Sequence, residues 1–281
     1  MNQLDLSKLP VPDVIETIDY ETEFAAVLER YRVLMGDDWT ATVQSDPVMK
    51  LLQDVAYEKI TLRARVNAAA KAVLLASANG ADLDHVLSLV GAERLDGESN
   101  DAFRERGRLA PYGFSTAGPG NAYRYHALSA HDDVLDVWVD SPEPGVVRVT
   151  VLSRSGQGVP GDEVLAAVRE RLNAEDVRPL SDTVLVEPAQ VVLWELIATL
   201  HFPSGAATEP AVAAAHVAAE AYATASRRLN RPLRRSMLIA ALGVSGVIDV
   251  ELSSLADDIP AGVQVAPFCT AIKLTSVVDY G

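Results

Sequence analysis

The chain has 281 residues, with 24 Lys and Arg against 39 Asp and Glu, a formal charge of −15. That acidic balance argues against nucleic acid as a main partner, because phosphate binding needs a basic face; a hydrophobic content of 49% excludes a disordered chain. The single cysteine, Cys269, excludes an intrachain disulfide framework and any cysteine-based zinc site.

At about 150 residues per domain the length suggests roughly two domains. Asp5, Asp13, Glu16, Asp19, Glu21 and Glu23 give the N-terminal segment the wrong composition for a secretory signal. The charge-free stretch Ile259 to Ile272 is broken by Pro260 and Pro267. It also falls short of the ~20 apolar residues of a spanning helix.

After the extended lead Leu9-Pro10-Val11-Pro12, apolar residues at helical spacing (Phe24, Val27, Leu28, Tyr31, Leu34) predict a helix from about Tyr20 to Met35. Ser45-Asp46-Pro47 is a helix start: a polar side chain caps free N–H groups and proline is tolerated in the first turn. No Pro or Gly follows until Gly80, which predicts one helix of about 30 residues, roughly 45 Å long. Projected at 100° per residue, Val48, Leu51, Leu52, Val55, Leu62, Val66, Ala69, Ala70 and Val73 share one face. Met49, Ala56, Ile60 and Leu74 widen it beyond the ~100° that one-sided packing needs. The preceding helix covers only about half the length. The remaining surface therefore meets either the chain's own C-terminal domains or, in the reading preferred here, a helix from another chain. Lys59 and Arg63 lie within the apolar sector and either snorkel to its edge or pair with an acidic group on the partner. The candidate interface is Val48, Leu52, Val55, Lys59, Leu62, Arg63, Val66 and Val73.

A short helix is expected from Asp82 or Asp84 to near Val90-Gly91. Ser99-Asn100-Asp101 caps another through Leu109. The Gly- and Pro-rich segment Pro111 to Gly120 is a loop, followed by a helix from Asn121 to about Ala130. From Asp133 the period becomes two: Leu135, Val137 and Val139 face one way and Asp136, Trp138 and Asp140 the other. The turn Pro142-Glu143-Pro144-Gly145 leads into a return strand with Val147, Val149 and Val151. A helix capped by Asp162 and a strand from Thr183 to Glu187 complete a β-β-α-β unit. A second unit opens with the alternating Val192, Trp194, Leu196, Ala198 and Leu200. Helices from Thr208 to about Leu229 and from Ser236 to Leu242 follow, then strands Val247 to Leu252 and Ile272 to Val277. The expected architecture is α+β: a helical region over 1–98, then α+β domains over 99–190 and 191–281 with mixed or antiparallel sheets.

Chemistry is sparse. His85, His126, His131, His201 and His216 form no HExxH or comparable metal spacing and read as surface or boundary residues. Gly113 to Gly120 lacks the Lys-Ser/Thr of a phosphate loop, and Pro119 removes a donor. Asp37-Asp38, Asp132-Asp133 and Asp257-Asp258 sit in polar turns. Trp39, Trp138 and Trp194 are scattered, as core or interface anchors are. No catalytic residue, cofactor site or metal site is assigned.

Taken in order, the landmarks resemble the baseplate J-like family. They are Leu9-Pro10-Val11-Pro12, Ile18-Asp19-Tyr20-Glu21, Ser45-Asp46-Pro47 with its long helix, Gly80-Ala81-Asp82-Leu83-Asp84, and Gly91 with Glu93-Arg94. Asp101-Ala102-Phe103-Arg104-Glu105-Arg106, the Gly-rich loop before Tyr123, Val134-Leu135-Asp136-Val137, Ser141 to Val147 and Arg178-Pro179-Leu180-Ser181-Asp182 continue the series. Ser236, Leu238, Ile239, Leu242 and Gly246 to Val250 match more loosely, and the tail after Leu255 departs from the pattern. The resemblance implies a structural wedge protein of a contractile tail or phage-tail-like particle, made in the bacterial cytoplasm and assembled into the baseplate. It implies partners: a second copy within a wedge, other wedge proteins, and neighbouring wedges in a six-fold ring that loosens on triggering. Nucleic acid and membrane insertion are not expected. Two rivals are a tail-associated cell-wall hydrolase and a free-standing oligomeric binding module.

Overall fold

A computed structural model describes residues 6–36, 43–114 and 119–279. Two compact units divide the chain, 1–94 and 95–281.

The first unit is helical. α1 (Tyr20–Met35) starts at Asp19, whose carboxylate accepts from the Thr22 N–H at 2.8 Å. That bond holds the Asp19 pKa below the usual carboxylate value. α2 (Pro47–Ala72) starts at the predicted signal: Asp46 accepts from the Val48 N–H at 2.7 Å and Pro47 occupies the first turn. At 26 residues it is shorter than expected, about 39 Å. It stops at Ala72 without Pro or Gly: the chain turns through Val73 and Leu74, with the Ser77 hydroxyl donating to the Lys71 carbonyl. α3 (Ala81–Ser88) buries Leu83 and Leu87. Arg94 then reaches back to Asp84, Nε to Oδ1 at 2.8 Å.

The second unit contains both sheets and opens with α4 (Asn100–Gly107), capped by Ser99 as expected. Just ahead of it, Glu98 receives Arg106 in a two-pronged bond, Nε to Oε1 at 2.8 Å and Nη2 to Oε2 at 2.7 Å, with both side chains buried. A 3₁₀ turn, Ala110–Phe114, leads to α5 (Gly120–Leu128). Strands β1 (Val134–Glu143), β2 (Val146–Ser153) and β3 (Thr183–Pro188) form a sheet in that order; β1 is antiparallel and β3 parallel to β2. α6 (Asp162–Asn173) supplies the crossover. α5 and α6 bury Tyr123, Val134, Val137, Val149, Val151, Val168 and Leu172 on one sheet face. Two local expectations are corrected. An irregularity between Val134 and Asp136 resets the alternation, so Leu135 joins Trp138 on the opposite face, away from Val137. Asp162 is the first helical residue; Gly161 precedes it and no side chain caps this helix.

The second sheet has the order β5-β4-β6, built from β4 (Gln190–Pro203), β5 (Asp249–Leu252) and β6 (Val265–Asp279). β5 is antiparallel and β6 parallel to β4. α7 (Thr208–Ser226) and α8 (Arg235–Leu242) cover one face, burying Trp194, Leu196, Ala198, Leu200 and Phe202. β6 begins seven residues before the expected Ile272 and runs through Pro267. It lies at the sheet edge, paired with β4 alone, where a proline's missing donor is tolerated. Both sheets are mixed, and the fold is α+β.

A small apolar cluster (Leu152, Ala189, Leu229, Ala266) lies between the sheets. Gly158 sits under it with φ +108°, and a Cβ there would meet Leu152 Cδ1 at 2.9 Å. Gly158→Ala is expected to cost about 2 kcal/mol, from backbone strain and overpacking together, read as a lower urea midpoint with an unchanged slope.

Candidate interface helix

α1 runs antiparallel to α2 and covers one flank of it. Val27 packs with Met49, Leu52 and Ala56, and Tyr20, Phe24, Leu28 and Tyr31 close the cluster. These α2 residues lie at i, i+3, i+7, so they share a face. Polar groups extend the same flank. Glu23 is buried at 7% exposure and receives Lys59 and Arg63, the latter at 2.5 Å. Arg63 Nε also donates to Glu16 Oε2 at 2.6 Å, and Asn67 donates to the Glu16 carbonyl at 2.8 Å. The Lys59 and Arg63 contacts hold the Glu23 carboxyl below its ordinary pKa, while Glu16 and Glu23 raise the guanidinium of Arg63.

Three members of the candidate interface thus have contacts within the chain. Leu52 is filled from within by α1, and Lys59 and Arg63 pair with acidic groups of their own chain. Val48 is half-buried at the edge of the same cluster. The rest of the stripe stays open: Leu51, Val55, Leu62, Val66 and Val73 are 65%, 47%, 63%, 56% and 71% exposed. Leu51, Leu62 and Val73 are eleven residues apart, as are Val55 and Val66. An eleven-residue repeat has about 3.67 residues per turn, close to the straight α-helix, so the apolar line drifts little over the whole of α2.

In the second unit the structure moves His126 from the expected surface or boundary to the interior, at 5% exposure. Burial lowers its pKa first, and the Arg171 guanidinium, 3.4 Å from Nδ1, lowers it further. The unfolded chain therefore binds a proton at higher pH than the folded one. Stability is full above the unfolded value of about 6.5 and falls as pH drops below it. His126→Gln is expected to flatten this slope between pH 7 and 5, measured by urea unfolding against wild type.

Asp132 and Asp133 serve a turn, as expected. Asp133 accepts from the Ser155 N–H at 2.9 Å and from the Ser153 and Ser155 hydroxyls. Residues 115–118 of the Gly-rich loop, Asp37-Asp38 and Trp39 lie outside the described residues. Among the described residues no group of three His, Cys, Asp or Glu is placed to hold a metal, and no helix is long and apolar enough to cross a membrane. The sequence reading missed three polar anchors: the Glu98–Arg106 pair, the buried Asp136, and Arg227-Arg228. Adjacent arginines ending an alanine-rich helix were the one visible signal.

A model of the baseplate J-like N-terminal domain matches residues 44–101, and one of the baseplate J-like central domain matches residues 115–188. The chain is 40% identical over 294 aligned positions to "Baseplate protein J" of Escherichia phage P2, an alignment covering 97% of both proteins. Among solved structures it is similar to a chain of the anti-feeding prophage baseplate, a cryo-EM structure with 6-fold symmetry imposed. That match has 15% identity and a TM-score of 0.43, covering 61% of this chain and 42% of the other. With four-tenths identity over 97% of its length, the chain belongs to the baseplate J-like family.

Proposed function

We propose that the chain is a wedge component of the baseplate of a contractile tail or tail-like particle, where its N-terminal helices join a bundle with other subunits. The observation that carries this is the exposed line Leu51, Val55, Leu62 and Val66 on α2, continued by Val73 just past its end, while α1 already covers the other flank. An uncovered apolar line this long is a surface for protein association. Its partners in this reading are a second copy of the chain and other wedge proteins, and the sheet-bearing unit links neighbouring wedges into a six-fold ring. The identity to a protein named for the P2 baseplate supports the location. On triggering, the ring contacts loosen while the bundles persist, which favours moderate, polar-rimmed contacts in the ring. A cryo-EM map of the purified tail tip tests the proposal. It should place helices from other chains along Leu51 to Val73; a solvent-facing α2, or a tail without this chain, would overturn it.

A further inference from the structure

The halves of the second unit, each with its own sheet and core, are covalently joined once, through Ala189 between β3 and β4. Away from that connection they are tied by the three residues that follow α7. Arg227 Nη2 donates to the carbonyls of Ser153, Arg154 and Gly156 at 3.1, 3.0 and 3.1 Å, and its guanidinium lies 4.8 Å from the Phe268 ring centroid. Arg228 Nη1 donates to the Leu135 carbonyl at 3.0 Å, and its Nη2 lies 3.5 Å from Glu105. The Leu229 N–H donates to Asp136 Oδ2 at 3.0 Å, while Arg124 donates to Oδ1 of the same carboxylate at 2.9 Å. The apolar part of this joint is the small cluster of Leu152, Ala189, Leu229 and Ala266.

The chemistry of the tie is unusual for a permanent weld. Arg227 is held by carbonyl dipoles rather than a carboxylate, and burial lowers its pKa. The Nε atoms of Arg227 and Arg124 are buried without a hydrogen-bond partner. A desolvated guanidinium with an unmet donor regains hydration on leaving its site, so closure is favoured only modestly. At the covalent end, Gln264 donates to Glu187 at 2.6 Å and the Ala189 N–H to the Val151 carbonyl at 2.9 Å, close enough to the pivot to survive a swing.

We infer that Arg227, Arg228 and Leu229 form a polar latch which holds the two sheets as one body, and whose release lets each half move intact about Ala189. Hydrogen exchange on the full chain tests this, with wild type compared against Arg227→Met/Arg228→Met and, separately, Asp136→Asn. Amides at 135–137, 153–156 and 227–230 should exchange about tenfold faster in both variants, while those of Val149–Val151 and Leu196–Leu200 keep their protection. Solution scattering should show a larger radius of gyration at unchanged helix content. Equal loss of protection across both cores would make these residues ordinary stability determinants and overturn the latch, as would unchanged exchange at the joint. Should the double variant fail to fold, the same two outcomes are read from Asp136→Asn.

Discussion

Leu62→Asp or Val55→Asp is expected to leave the chain folded and to abolish its retention by other tail proteins. Both side chains are exposed in the isolated chain, so either change should alter its stability by no more than about 0.5 kcal/mol. In a closed helical seam the same carboxylate would be buried without a counter-charge, at a cost on the order of 3 kcal/mol. That corresponds to a loss of affinity of more than about 100-fold. Circular dichroism of the purified variants and co-purification with the remaining tail proteins separate the two effects. Leu52→Asp is the contrast, because Leu52 packs against α1; there the helical signal itself should fall. Normal assembly of both exposed-site variants would remove the basis for a bundle on α2.

Arg106→Met should be the most damaging polar substitution in the second unit. It leaves the Glu98 carboxylate buried beside a thioether, and it removes the 3.1 Å donation to the Ser129 hydroxyl and the cation over the Phe103 ring. Breaking one side of a buried pair costs about 3–5 kcal/mol, chiefly from the charge left behind. For a unit of this size the melting temperature should fall by roughly 10 °C. Replacing both partners, Arg106→Met with Glu98→Gln, should recover much of the loss, since neither buried charge then remains. Thermal denaturation of the three proteins makes the comparison. A double variant as unstable as the single one would mean that the pair acts through its shape and hydrogen bonds more than through charge.

Local rules carried the reading where the controlling interaction lies close in sequence. Asp19 and Asp46 cap their helices as their positions suggest, and Ser99 starts α4. The second-sheet alternation from Trp194 to Leu200 survives because one face is uniformly covered by helices. Failures came where a distant partner decides. Leu135 faces the other way because of an irregularity in the strand, which periodicity alone cannot locate. The strand expected from Ile272 begins at Val265 and runs through Pro267, which a strand paired on one side tolerates. The α2 stripe was legible as a width, whereas its division into a covered flank and an open line depends on where α1 lies. Glu23, the acidic group that takes Lys59 and Arg63, is far away in sequence.

The outer rim of β6 has its own consequence for handling the protein. Over Ile272–Val278 β6 pairs with β4 alone and carries Lys273 as its single charged side chain, and a rim of this kind is a template on which other chains can add strands. Mutual repulsion at a net charge of −15 opposes such growth while copies are free. Added salt shortens the reach of that repulsion. Stocks of the free subunit should therefore cloud as ionic strength rises, through edge-to-edge strand pairing, and should keep best in buffer of low ionic strength.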